Sequence, residues 1–200
     1  MNATDALPSF DPWVDDLLER QFIDVQGWIP AATLEALASQ LERDRQQGRF
    51  RQAHIGKGAG EQMRSEIRSD QIAWWPDFPN DPAQRDYIQM LESWWTFLNR
   101  TCFTTIRGGE FHGACYPIGA SYGRHLDQFR GDRSRVISVI TYLNPHWSDA
   151  DGGELVLYTR QGEVRILPHW GRTVMFRSEE LEHEVLPGRR ERRSITGWLR

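Results

Sequence analysis

The chain has 200 residues, a formal net charge of −4, and 26% charged against 39% apolar residues. That length and balance suit one domain, or one domain with a helical layer on it, and the lack of a basic block argues against a nucleic-acid partner, which needs a basic stripe to meet phosphates. No stretch approaches roughly 18 consecutive apolar residues, and the first ten residues carry no basic start leading into an apolar run, so neither a membrane span nor a signal peptide is expected.

The two cysteines, Cys102 and Cys115, are expected to be buried reduced thiols of a cytoplasmic protein. Nine Trp is a high count, and part of it is expected to line a cleft.

The first half reads helical. A short amphipathic helix is predicted over Pro12–Arg20, with Asp11 as its N-cap. Pro30 opens a second, in which Leu34, Leu37, Ala38 and Leu41 recur at helical spacing and which Gly48 ends. A third is predicted over Pro82–Asn99, with Tyr87, Met90, Leu91, Trp94 and Leu98 on one face. Between the second and third lies a glycine-bearing segment, with a mobile loop expected over residues 51–65 and a short strand over Glu66–Trp74.

From about Phe103 the pattern turns to strands. Arg135–Leu143 is rich in β-branched residues, and Leu155–Thr159, Glu163–Leu167, Arg172–Phe176, His183–Leu186 and Arg192–Leu199 follow at short intervals. Gly152-Gly153 and Pro187-Gly188 separate them as turn signals, so the second half, 101–200, reads as a sandwich or barrel on a helical support over 1–100.

His125-Leu126-Asp127 carries the first chemical signal. In an extended strand, residues two apart share a face, so an imidazole and a carboxylate can reach one metal. A third ligand must come from elsewhere, and His54, His112, His146, His169 and His183 are the candidates. His146 and His169 sit in turn contexts that suit surface residues, His54 lies in the loop, and His112 reads as a plain strand residue.

His183 stands out because it opens a strand that leads to Arg192, Ser194, Thr196 and Trp198 on one face. An inward-facing arginine needs a buried anion, and a cosubstrate carboxylate fits its forked donors. Two histidines and one carboxylate with open positions are the ligand set of non-haem Fe(II) oxygenases.

These residues resemble the prolyl 4-hydroxylase branch of the 2-oxoglutarate oxygenases, close to the hypoxia-factor type and its bacterial relatives. The likeness is carried, in the family's order, by Ala114-Cys115-Tyr116-Pro117, Tyr122-Gly123-Arg124-His125-Leu126-Asp127, Arg135, Tyr142-Leu143-Asn144, Gly152-Gly153-Glu154-Leu155, Pro168, Gly171, Phe176, His183-Glu184-Val185 and Arg192 to Trp198. Ile67 to Trp74 resembles the strand after the family's substrate-covering loop.

The resemblance implies a mainly β fold, a double-stranded β-helix or jelly roll with supporting helices. It also implies Fe(II) held by His125, Asp127 and His183, with no further catalytic residue. Arg192, six residues before Trp198, is implied as the anchor of the 2-oxoglutarate C5 carboxylate, with Tyr142, Tyr116, Thr196 and Trp198 lining the cosubstrate pocket. Arg193 stands where the family has a hydrophobic or aromatic residue. Tyr122, Arg135, Asp70 and Trp74 are implied on the substrate side, Asp70 paired with Arg135.

The expected activity is hydroxylation of a prolyl residue in a protein substrate, with an exposed loop of a translation factor as the favoured target. Fe(II), 2-oxoglutarate and O2 take part, and ascorbate is a further expected ligand. Two alternatives stand beside it: the same chemistry on a small molecule or another side chain, and a jelly-roll metal-binding sensor without turnover.

Overall fold

A computed structural model describes residues 9–53, 68–128 and 134–200. The described elements are, in order, α1 (Asp11–Glu19), β1 (Phe22–Gln26), α2 (Ala31–Gln46), β2 (Arg51–Gln52), β3 (Gln71–Trp74), α3 (Pro82–Thr101), β4 (Gly109–Tyr116), β5 (Tyr122–His125), β6 (Ile137–Tyr142), β7 (Leu155–Thr159), β8 (Gly162–Ile166), β9 (Arg172–Arg177), β10 (His183–Val185) and β11 (Arg192–Leu199). Among these residues no helix is long and apolar enough to cross a membrane.

The strands form two antiparallel sheets, one ordered β1-β9-β6-β11-β4-β3-β2 and the other β5-β10-β7-β8. They make a double-stranded β-helix with the helices on the outer face of the larger sheet. Side-chain alternation builds both cores. On β6 and β11, Ile137, Val139, Ile195 and Leu199 pack outward against Leu37, Tyr87, Leu91 and Trp94 of the helices. The alternate residues Ile140 and Tyr142 point between the sheets, toward Leu155, Leu157 and Val185.

Local chemistry sets the helix ends. Asp81 caps α3, its carboxylate accepting from Ala83 N at 2.9 Å, with Pro82 in the first turn, where its missing N–H costs nothing. Gly48 follows α2 in the left-handed region at φ +63°, as expected. Gly113 lets α2 approach the sheet, because a Cβ there would stand 2.5 Å from Leu41 Cδ1.

The structure corrects several expectations. Asp11 is the first residue of α1 rather than its cap, a role that falls to Phe10. Of the strand expected over Glu66–Trp74, Gln71–Trp74 forms, Arg68 makes only an isolated bridge to Tyr122, and Glu66 and Ile67 lie outside the described residues. Cys102 is exposed, while Cys115 is buried. β1 lies in the half expected to be helical and pairs with β9, Phe22 opposite Phe176. Most of the loop expected over 51–65, with His54, lies outside the described residues.

Candidate active site

β5 ends at His125 and β10 begins at His183, and the two residues are direct partners across the antiparallel ladder. Their rings therefore lie side by side, with centroids 4.2 Å apart. Each Nδ1 points at a main-chain carbonyl, His125 at Gly123 O (2.8 Å) and His183 at Leu181 O (3.1 Å). A carbonyl only accepts, so each Nδ1 carries a proton, and Nε2 is the ring atom left to face the site.

Both Nε2 atoms face Asp127, His125 at 3.5 Å from Oδ1 and His183 at 3.6 Å from Oδ2. The three ligand atoms lie within 4.8 Å of one another. Burial pushes His183 down to about 4, which keeps it neutral. Burial alone would raise Asp127, but His183, His125 and the Ser138 hydroxyl outweigh it and hold the carboxyl well below the usual carboxylate range. A neutral histidine beside an ionised aspartate is the protonation state that a metal requires.

The triad opens into a narrow cleft whose other walls include Arg68, His112, Tyr116, Tyr122, Thr196, Trp198 and Arg192. A larger groove runs along α3 past Gln89, Ser93 and Thr96, away from the triad. The chemistry thus selects the smaller space.

Arg192 is 2% exposed, and its Nε and Nη2 have no protein partner. Its guanidinium carbon lies 4.9 Å from the ring centres of both Tyr116 and Tyr142. The Tyr142 hydroxyl is beside the guanidinium, without a hydrogen bond of good geometry to it or to any other group. A buried cation and a buried hydroxyl, both free to donate, suit a carboxylate.

Gly153 beside it adopts φ +72°, which favours glycine, and a Cβ there would press on Trp147 at 3.2 Å while meeting Arg192 Cδ only at ordinary contact distance. Arg193 faces the other way, 34% exposed in its side chain and paired with Glu191 at 2.7 Å. These residues fit the ligands expected from the sequence: a divalent ion at His125, Asp127 and His183, and a 2-oxo acid with its distal carboxylate at Arg192.

The residues expected on the substrate side separate. Tyr122 lines the cleft, stacked on His125 with ring centroids 3.6 Å apart. Trp74 is half exposed and lies over His112 at 4.7 Å.

The expected Asp70–Arg135 pair does not form. Asp70 is fully buried and takes both its hydrogen bonds from Arg68, at 2.7 and 3.0 Å. Arg135 instead pairs with Glu110 at 2.7 Å, donates to Asp127 O at 3.1 Å and lies 3.5 Å over the Trp198 ring. Asp70 has a fork two residues away on its own chain, so it needs no partner across the barrel.

His146 is exposed and His169 half buried. His112, read from sequence as an ordinary strand residue, lines the cleft, 1% exposed and with Nδ1 unpartnered. The signal was its parity, for His112, Ala114 and Tyr116 share one face of β4.

Residues 111–200 match the family model of the 2OG-Fe(II) oxygenase superfamily. The chain is 37% identical to a Pseudomonas putida prolyl-4-hydroxylase whose crystal structure it matches over 94% of this chain and 96% of that one, with TM-score 0.83. It is 29% identical to a Trichoplax adhaerens prolyl hydroxylase solved with a hypoxia inducible factor oxygen degradation domain peptide fragment, over 93% and 86% of the two chains, with TM-score 0.82. A PKHD-type hydroxylase of Parvibaculum lavamentivorans is 36% identical over 88 residues, which span 42% of this chain and 39% of that protein. The chain belongs to the 2-oxoglutarate- and Fe(II)-dependent oxygenases, in their prolyl 4-hydroxylase family.

Proposed function

We propose that this protein hydroxylates a prolyl residue of a protein substrate, with Fe(II) held by His125, Asp127 and His183 and 2-oxoglutarate anchored by Arg192. One observation carries the reading: the His-Asp-His cluster opens into the same cleft as a buried arginine without a protein partner. When bound, Fe(II) with 2-oxoglutarate and dioxygen supplies the oxidising chemistry that converts a C–H bond to C–OH, with succinate and carbon dioxide formed.

The chain's own residues bind and orient. The Nδ1 contacts of His125 and His183 fix both rings with Nε2 inward. Arg192 and the Tyr142 hydroxyl offer donors to the distal carboxylate, and Tyr116 and Thr196 close the pocket around it. Tyr122, Trp74 and Trp198 give the mouth an aromatic wall suited to a pyrrolidine ring, and Arg135 holds Trp198 from behind.

A protein substrate is supported by likeness to the Pseudomonas putida and Trichoplax adhaerens enzymes. A proline-bearing loop of a translation factor is the first target to examine. The test is mass spectrometry of extract proteins treated with Fe(II), 2-oxoglutarate, ascorbate and the enzyme, with Asp127→Ala as control. One added oxygen, mapped to a proline and absent from the control, is the expected result. Oxygen added only to small molecules would replace the protein substrate, and no 2-oxoglutarate consumption under any condition would refute the activity.

A further inference from the structure

Asp127 stands apart from its fellow ligands in one respect. His125 and His183 belong to strands and are fixed by the ladder, whereas Asp127 lies past the end of β5, in a bend next to the exposed Leu126. Rotation of an aspartate carboxylate about its last torsion is soft. Something outside β5 must hold it.

The facing sheet does so. Ser138 on β6 is fully buried, and its Oγ lies 2.6 Å from Asp127 Oδ2. Ser178, just past β9 and also fully buried, has its Oγ 2.9 Å from Ser138 Oγ. The direction of these bonds follows from chemistry. An ionised carboxylate only accepts, so Ser138 gives its single proton to Asp127, and Ser178 must donate to Ser138. At the other end of the residue, Arg135 Nη1 donates to the Asp127 carbonyl at 3.1 Å. Main chain and carboxylate are thus both tied to residues outside β5.

We propose that Ser138, backed by Ser178, is a positioning residue for the metal: the two-hydroxyl relay holds the Asp127 carboxylate in the orientation that faces both imidazoles. This rests on the metal reading above and adds to it a link from the larger sheet to a ligand otherwise carried by the smaller one. Partners behind a metal ligand typically change affinity by roughly 10–100-fold when removed.

The test uses Co(II) alone, added anaerobically to the metal-free protein and followed by calorimetry and by the visible absorption of the bound ion. Ser138→Ala is expected to weaken Co(II) by about tenfold or more and to alter the spectrum of the saturated complex, with the fold intact by circular dichroism. Ser178→Ala, which leaves Ser138 in place, is expected to weaken it by less. Wild-type affinity and spectrum in Ser138→Ala would overturn the proposal. Should that variant fail to fold, Ser178→Ala decides, and unchanged Co(II) binding there would overturn the relay. Asp127→Ala separates the two readings, because undiminished Co(II) binding in that variant removes the metal site itself, whatever the serines do.

Discussion

Replacing Arg192 by Met tests the division of labour along β11. Arg192 is 2% exposed and two of its guanidinium nitrogens have no protein partner, so the folded protein holds a cation that little in the chain compensates. Losing one partner of a buried, hydrogen-bonded charge pair costs roughly 2–5 kcal/mol. At about 1.4 kcal/mol per tenfold, that weakens 2-oxoglutarate by roughly 30-fold to several thousand-fold. Met keeps much of the volume and removes the uncompensated charge, so the ligand-free variant should be at least as stable as the parent.

Arg193→Met is the matched control. Arg193 lies on the outer face and pairs with Glu191 and Glu42, the latter at 3.7 Å. Its loss should leave 2-oxoglutarate binding unchanged and cost about 0–1 kcal/mol of stability. Calorimetric titration of 2-oxoglutarate into Mn(II)-loaded protein without oxygen measures binding in the two variants, and urea unfolding of the ligand-free proteins measures stability. Normal binding in Arg192→Met with lost binding in Arg193→Met would mean that the strand presents its other face, and normal binding in both would remove the anchor altogether.

Single Ala substitutions at His125, Asp127 and His183 should each lose tight Co(II) binding, while His146→Ala, on the exposed surface, should bind like the parent; calorimetry reads both. Burial pushes His112 down to about 3, against about 6.5 for a free imidazole. The unfolded chain therefore takes up a proton that the folded one refuses as pH falls from about 6.5, so His112 costs stability progressively toward about pH 3. Urea unfolding of metal-free His112→Met should show the variant gaining on the parent as pH drops from about 7 to 4, and a pH-independent gap would refute the argument.

What could be read from the chain divides by range. His125 and Asp127 do meet, but not as residues of one strand as their spacing suggested, since β5 stops at His125 and Asp127 lies in the bend beyond it; the parity of Arg192, Ser194, Thr196 and Trp198 did turn Arg192 inward. Leu155–Thr159 and Arg192–Leu199 were legible to the residue because turn signals bracket them. β1 was not: Phe22–Gln26 is five residues wedged between two helices, and only pairing with β9, far along the chain, makes it a strand. The partners of Asp70 and Arg135 were misassigned for a related reason, since which of several cations meets a buried carboxylate is decided by local reach. Ser138 carries no sequence signal at all, because a serine in a β-branched strand is unremarkable until the opposite sheet brings Asp127 to it.

The placement of unpartnered polar atoms ties these observations together. Among the described residues, the buried side-chain atoms without a hydrogen bond are Trp94 Nε1, His112 Nδ1, Tyr142 Oη, Arg192 Nε and Nη2, and Trp198 Nε1. Trp94 packs among the helices, where its large apolar face fills the core. The others all belong to β4, β6 and β11, three adjacent strands of the larger sheet, and to the sheet face opposite His125 and His183. An apolar residue at each position would have made a more stable sandwich, since an unmet buried polar group costs about 1–3 kcal/mol. A sequence that departs from that rule on one face of neighbouring strands has kept a surface for something polar. The smaller sheet supplies two metal ligands, the larger one the donors for an anion, and Asp127, held by Ser138, is where the two sheets meet.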